Sequence, residues 1–266
     1  LTAKATASLF EIPLVRLDES GVNIDSLERS GADVVHISPS HHFPTGTVTP
    51  ASRRYELLGW AAKQPGRYII EDEYDSEFRL VGNPIPALQS IDASDKVIYM
   101  NTFSKSLSST IRISYMVLPI PLMVRYNHVL SFYACTVSNF DQYTLTRFIQ
   151  EGYLEKHINR MRKFYRNSRD RILSCIRNHR LYPQVTIKEE NAGLHFLMEV
   201  DTSYTDKEMV DRAAAAGINI SSLSQYCHGK EQEDSHTLVI NYSGIEEDII
   251  EEACDRLLES VVSLTT

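Results

Sequence analysis

The sequence predicts an α/β chain, with a mainly parallel sheet in its first part and a smaller α+β unit toward its C-terminus. Three observations predict it. Short strand-like runs alternate with helix-spaced segments between Asp33 and Leu118. A strongly basic helical stretch follows, from about Phe140 to Arg180. After Tyr182-Pro183 the pattern becomes strand, strand, helix, strand, helix. The boundaries read as 1–150 for part of a large domain, 151–180 for a long linking helix and 181–266 for a small C-terminal domain.

Each element has its own justification. Asp33 to Ser38 (DVVHIS) is a β-branched run, closed by the proline-broken loop Pro39 to Pro50. Ala51 to Lys63 carries Tyr55, Leu57, Leu58, Ala61 and Ala62 at helical spacing. Arg67 to Ile70 is a short buried-strand pattern that runs into Glu71-Asp72-Glu73. Lys96 to Met100 is another, ending in Asn101-Thr102-Phe103-Ser104-Lys105, and Arg112 to Leu118 is a third. Strands joined this way imply right-handed crossovers. Ligands then favour the carboxyl ends of the strands, where Asp72 and Lys105 fall. In the second part QVTIKEE and GLHFLMEVD read as strands. TDKEMVDRAAAAG reads as a helix with Thr205 as N-cap, Glu208 three residues on and Gly217 at its end. A strand at Thr237–Tyr242 and an amphipathic helix at Glu246–Val262 close the chain, with Lys230–Ser235 as the most loop-like polar stretch.

Composition sets limits. The 266 residues carry 27 Lys+Arg against 35 Asp+Glu, a net charge of −8, with 42% hydrophobic and 23% charged residues. That is ordinary globular usage and excludes disordered, collagen-like and coiled-coil chains. The acidic balance argues against gripping nucleic acid by bulk charge. Arg160, Arg162, Lys163, Arg166, Arg169 and Arg171 make the helical stretch basic, and they read as a solvated or paired helix face more than as a DNA patch. The run IRISYMVLPIPLMV is cut by Arg112 and two prolines, so no segment reaches the roughly 20 apolar residues of a membrane span. The first residues lack a cleavable signal pattern, and the chain opens on Leu1, which is the expectation for a piece of a longer protein. Cys135, Cys175, Cys227 and Cys254 show no CxxC spacing, so they read as reduced thiols of a cytoplasmic protein, without disulfide frame or zinc.

Three groups of residues suggest chemistry. In Thr102-Phe103-Ser104-Lys105, with Arg112 seven residues on, a strand-end lysine is flanked by hydroxyls. Partial burial of such a lysine disfavours its ammonium, as imine formation requires. Two hydroxyls and a guanidinium beside it make a phosphate cradle. In Asp72-Glu73-Tyr74, the aspartate suits the ring nitrogen of a pyridine, keeping it protonated and electron-withdrawing, and Tyr74 suits a ring oxygen. The alternative for this run is a solvated acidic loop. In His41-His42-Phe43-Pro44-Thr45-Gly46, the last three residues are a common turn. The adjacent histidines lack a third metal ligand, so no metal site is expected.

Together SPSHHFPTG, YIIEDEYDSEFR and VIYMNTFSKSLSSTIRISYMVLP resemble the aminotransferase-like domain of the MocR/GabR family of bacterial transcription regulators. The likeness extends through EKHINRMRKFYRNSRDRI and NAGLHF to the C-terminus. It implies the fold of the type-I pyridoxal-phosphate enzymes, with pyridoxal 5′-phosphate as cofactor. It implies that Lys105 carries the cofactor as an internal aldimine, that Asp72 pairs with the pyridinium nitrogen and that Tyr74 meets the phenolic oxygen. Thr102, Ser104 and Arg112 would hold the phosphate, and the turn of Phe43 and Pro44 would lie beside the ring. It further implies a cytoplasmic homodimer that meets DNA only through an N-terminal winged-helix domain absent from this chain. Part of the large domain would be absent too, leaving the cofactor site to be completed by that stretch or by a partner.

Two departures bear on the ligand. Where the γ-aminobutyrate sensor of the family has an arginine for the effector carboxylate, this chain has Gln225, within Ser222-Leu223-Ser224-Gln225-Tyr226. The arginine that aminotransferases usually carry before the last strand is missing from Thr237–Tyr242. The reading is therefore an effector-binding and oligomerisation domain that senses a small amino acid, D-alanine in preference to γ-aminobutyrate, by external aldimine formation. A pyridoxal-phosphate-dependent aminotransferase is the alternative.

Overall fold

The computed structural model describes residues 11–82, 85–191, 193–227 and 234–263. Lys230 to Glu233 of the expected polar loop, Ala192 of NAGLHF and the first ten residues lie outside that range. The described residues divide into two compact units. One is drawn from Leu1–His42, Thr47–Tyr74 and Pro84–Thr146, the other from Phe43–Gly46, Asp75–Asn83 and Arg147–Thr266.

The first unit opens with a small hairpin of β1 (Leu17–Asp18) and β2 (Gly21–Val22), then α1 (Ile24–Ser30). Its sheet contains β3 (Val34–Ile37), β4 (Tyr68–Glu73), β5 (Val97–Thr102) and β6 (Ser114–Val117), in that spatial order. Helix α2 (Ala51–Ala62) joins β3 to β4, and the short α3 (Leu88–Ile91) precedes β5. The pairs β3–β4 and β4–β5 are parallel, whereas β6 runs antiparallel to β5. The reason is length. Only Phe103–Ile113, with the single-turn α4 (Phe103–Ser106), separates β5 from β6, and a parallel return needs about a dozen residues or more.

The core of this unit is formed by Leu27, Val35, Ile37, Leu57, Trp60, Ile69, Leu88 and Val97. The buried face of α2 is Arg54, Leu57, Trp60 and Ala61, while Tyr55 is exposed, so the helix is rotated from the face its sequence suggests. Trp60 brings more apolar area inward than Tyr55 would, and Arg54 goes in because its donors are met. Beyond the sheet, α5 (Ile120–Leu130) and α6 (Asn139–Gln150) contain no buried residue, and all four residues of β6 are exposed.

The second unit holds the long α7 (Tyr153–Asn178) and an antiparallel sheet of β7 (Val185–Lys188), β8 (His195–Val200), β10 (Thr237–Asn241) and β9 (Ser221–Ser222), in that order. Helix α8 (Asp206–Ala215) starts on a complete capping box: Thr205 accepts from Glu208 N–H, and the Glu208 side chain accepts from Thr205 N–H. Helix α9 (Ile250–Val261) closes the unit. Its core gathers Tyr165, Ile172 and Ile176 of α7, Phe196 and Met198 of β8, Ile240 of β10 and Leu258 of α9.

The basic residues of α7 are largely committed. Arg162 and Arg166 donate to the carbonyls of Glu77 and Leu80, Arg169 to Asp170 and the Glu190 carbonyl, and Arg171 to Glu251. Arg162 and Arg166 fasten the segment around Phe78, which is fully buried with its ring edge-on to Tyr165. Among the described residues no helix is long and apolar enough to cross a membrane, and no group of three metal-ligating side chains forms.

Candidate cofactor site

The carboxyl ends of β4 and β5 lie side by side, with Asp72 opposite Met100 and Glu73 opposite Asn101. This is where a parallel sheet presents polar groups to a ligand. On β4 the side chains alternate: Ile69, Glu71 and Glu73 are buried, while Tyr68, Ile70 and Asp72 are partly exposed. Asp72 is 35% exposed, and its Oδ2 lies 3.2 Å from His36 Nε2. His36 escaped the sequence reading. The same alternation on β3, which buries Val35 and Ile37 and exposes His36, is the signal that places it on the face of Asp72.

The acidic run is a strand with a buried side, not a solvated loop. Ser40 Oγ donates to Glu73 at 2.7 Å, and Glu71 accepts from the N–H groups of Leu88 at 2.7 Å and Gln89 at 2.9 Å. Burial pushes the Glu71 carboxyl above the usual range; those N–H donors and Arg54 pull the other way without cancelling it. Sequence reasoning missed Glu71, Glu73 and Arg54.

At the end of β5, Thr102 caps α4, accepting from Ser104 N–H at 3.2 Å. Its own hydroxyl donates to Ile113 O at 3.3 Å. Ser104 Oγ donates to Ile111 O at 2.9 Å, and Arg112 Nη1 donates to Ser104 Oγ at 3.3 Å. The three residues assigned to a phosphate are thus tied together directly. Lys105 is exposed while its neighbour Ser106 is buried, so the partial burial expected for the lysine is not found. The turn of α4 sends Ser106, not Lys105, into the unit.

Tyr74 donates to the His41 carbonyl oxygen at 3.0 Å and lies 3.2 Å from His41 Nδ1. His41 is only 2% exposed. Burial, and then the charge of His41, push the His42 imidazole below its ordinary value.

The remaining expected residues belong to the second unit. Phe43 makes edge contacts with the rings of His195 and Tyr226, and His195 Nε2 lies 3.1 Å from the Pro44 carbonyl oxygen. The Phe43-Pro44 peptide is cis. Gln225 is exposed in the single turn Leu223–Tyr226. A cavity of about 410 Å³ in this unit is lined by Phe43, Tyr226, Asn219, Ser221 and Asn241, with isoleucines from α7 and α9.

The structure therefore assigns Asp72, Tyr74, Thr102, Ser104, Lys105 and Arg112 to one unit and Phe43, Pro44 and Gln225 to the other. The donor set of the first unit fits pyridoxal phosphate. It offers a carboxylate for a ring nitrogen, a phenol for a ring oxygen, an exposed primary amine and a bonded hydroxyl–guanidinium pair for a dianion.

Comparison with known proteins agrees with the motifs. The chain is 39% identical over 252 residues to the uncharacterized HTH-type transcriptional regulator YdeL of Bacillus subtilis, covering 94% of this chain and 53% of that protein. It is 31% identical over 261 residues to the Probable rhizopine catabolism regulatory protein MocR of Rhizobium meliloti, covering 98% of this chain and 51% of that one. Among solved structures, kynurenine aminotransferase of Pyrococcus horikoshii superposes with a TM-score of 0.76 at 28% identity, covering 93% of this chain and 62% of that chain. The chain thus spans about half the length of the curated relatives it matches. The fold is that of the pyridoxal-phosphate aminotransferases, and the resemblance to MocR-type regulators holds along nearly the whole chain. With residues 4–257 matching the description Aminotransferase class I and II, the chain belongs to that family.

Proposed function

We propose that this chain is the effector-binding and oligomerisation part of a pyridoxal-phosphate-dependent transcription regulator. The observation that carries the reading is the donor set at the ends of β4 and β5, in a chain whose curated relatives at 38–39% identity are HTH-type transcriptional regulators. Bound pyridoxal phosphate supplies an electron-withdrawing ring and an aldehyde that joins amines reversibly. Asp72 holds a proton at the ring nitrogen. Tyr74 sets its hydroxyl on the ring's phenolic oxygen. Thr102, Ser104 and Arg112 would hold the phosphate. Lys105 would supply the amine that holds the cofactor's aldehyde, an amine that would be released if a small amino acid's amine replaced it. Where the γ-aminobutyrate sensor of the family has an arginine for the effector carboxylate, Gln225 offers only a neutral amide. A charge-assisted contact is worth on the order of 1.5–3 kcal/mol, so its loss disfavours γ-aminobutyrate and leaves D-alanine as the preferred effector. A homodimer in the cytoplasm, binding DNA through a separate N-terminal domain, completes the reading.

A second reading, a working aminotransferase, is supported by the 28% identity to the Pyrococcus horikoshii kynurenine aminotransferase. One experiment addresses both. Purified chain is mixed with pyridoxal phosphate, and its absorbance is followed while D-alanine or γ-aminobutyrate is added. A shift with D-alanine alone, without keto-acid product, is expected. A shift with γ-aminobutyrate alone overturns the effector assignment, and steady keto-acid release favours the enzyme. Lys105→Ala should abolish the absorbance band of the attached cofactor; a band that persists unchanged refutes Lys105 as the attachment point.

A further inference from the structure

Two groups of one residue, His41, lie within hydrogen-bond distance of the Tyr74 hydroxyl, which has a single proton to give. Its oxygen is 3.0 Å from the backbone carbonyl oxygen of His41 and 3.2 Å from Nδ1 of the His41 ring. A carbonyl oxygen only accepts, so the phenolic proton points to it. Nδ1 must then be the donor in the second contact. The opposite assignment, with the phenol donating to Nδ1, would set two oxygens lone pair to lone pair at 3.0 Å. His41 is 2% exposed, so its ring is screened from bulk solvent.

We propose that His41 is a positioning residue that fixes the hydrogen-bond polarity of the Tyr74 hydroxyl, donating to it from Nδ1 and accepting from it at the backbone carbonyl. A hydroxyl clamped in this way has its proton committed to the carbonyl oxygen. It gives up its proton only to an acceptor that outcompetes the carbonyl, such as an anionic ring oxygen. The Nδ1–H donation persists when the proton turns and makes the phenol the stronger donor, because linked hydrogen bonds polarise one another. The identity of that acceptor rests on the function proposed above; the polarity of the clamp does not.

The test is the nitrogen-15 NMR spectrum of the histidine side chains in the 266-residue chain without ligand. The expected result is a protonated Nδ1 on His41, where free imidazole prefers the proton on Nε2. In Tyr74→Phe that preference should relax. An unprotonated Nδ1 in the wild-type chain, or a spectrum that Tyr74→Phe leaves unmoved, overturns the proposal. Titration with pyridoxal phosphate adds a second readout. His41→Leu should bind about tenfold more weakly, and His41→Asn, whose amide N–H can stand in for Nδ1–H, should recover to within about threefold of wild type. Equal binding by His41→Leu and wild type also overturns it. If wild type binds no pyridoxal phosphate at all, the functional reading fails, and the NMR result alone decides the role of His41.

Discussion

Arg54 shows what one buried charge does here. It is 1% exposed, and its guanidinium donates to Thr49 O, Pro86 O and Ser40 Oγ, with Glu71 3.7 Å away. Removing one partner from such a group strands the other, so Arg54→Met should cost about 3–5 kcal/mol in a urea unfolding curve. Glu71 makes the matching statement about pH. Its folded value is raised above 4.5, chiefly by burial. Its contribution is therefore full below 4.5 and is lost as pH rises through the folded value. Wild-type stability should thus fall more steeply than that of Glu71→Gln as pH rises from 4.5 through the folded value, measured as denaturation midpoints across buffers. None of this was legible in YIIEDEYD, because composition alone does not say which of three adjacent acids turns inward. Asp72, by contrast, could be picked out, since its place at a strand end follows from local pattern.

Helix α8 tests the local rules most cleanly. Thr205→Ala should cost about 1 kcal/mol, read from thermal or urea unfolding. The Thr205 backbone N–H and then its hydroxyl hold the Glu208 carboxyl below its ordinary value of 4.5. That contribution is present above 4.5 and disappears as pH falls through the lowered value, and Glu208→Gln should remove this part of the acid dependence. The box was legible because all its parts lie within four residues of each other. The direction of β6 and the task of Arg162 and Arg166 were not. Strand direction depends on a partner's register, and the carbonyls those arginines meet, on Glu77 and Leu80, lie 85 and 86 residues away.

At the scale of the whole molecule, two separate apolar clusters hold the two units, and a third set of apolar residues is covered by nothing among those described. Ile120, Val124, Phe132, Tyr133, Phe140 and Tyr143 are each at least 65% exposed. Apolar area of that kind favours association in water. The isolated chain should therefore self-associate with rising concentration in light scattering, and Ile120→Ser with Phe140→Ser should reduce that without lowering the unfolding midpoint. At the level of sequence this region reads only as a proline-cut apolar run and the start of a basic helical stretch, since nothing local distinguishes an apolar residue that finds a neighbour from one that does not. The alternation along β4 has a consequence for variation in the gene. Tyr68–Glu73 carries structural acids and a ligand-facing acid in alternate positions. Substitutions on the two sides can accumulate separately, but deleting one codon upstream within the strand would exchange the sides, exposing Glu71 and Glu73 while burying Asp72. Tolerated drift in this segment should consist of replacements, and insertions or deletions should be confined to the loops at either end.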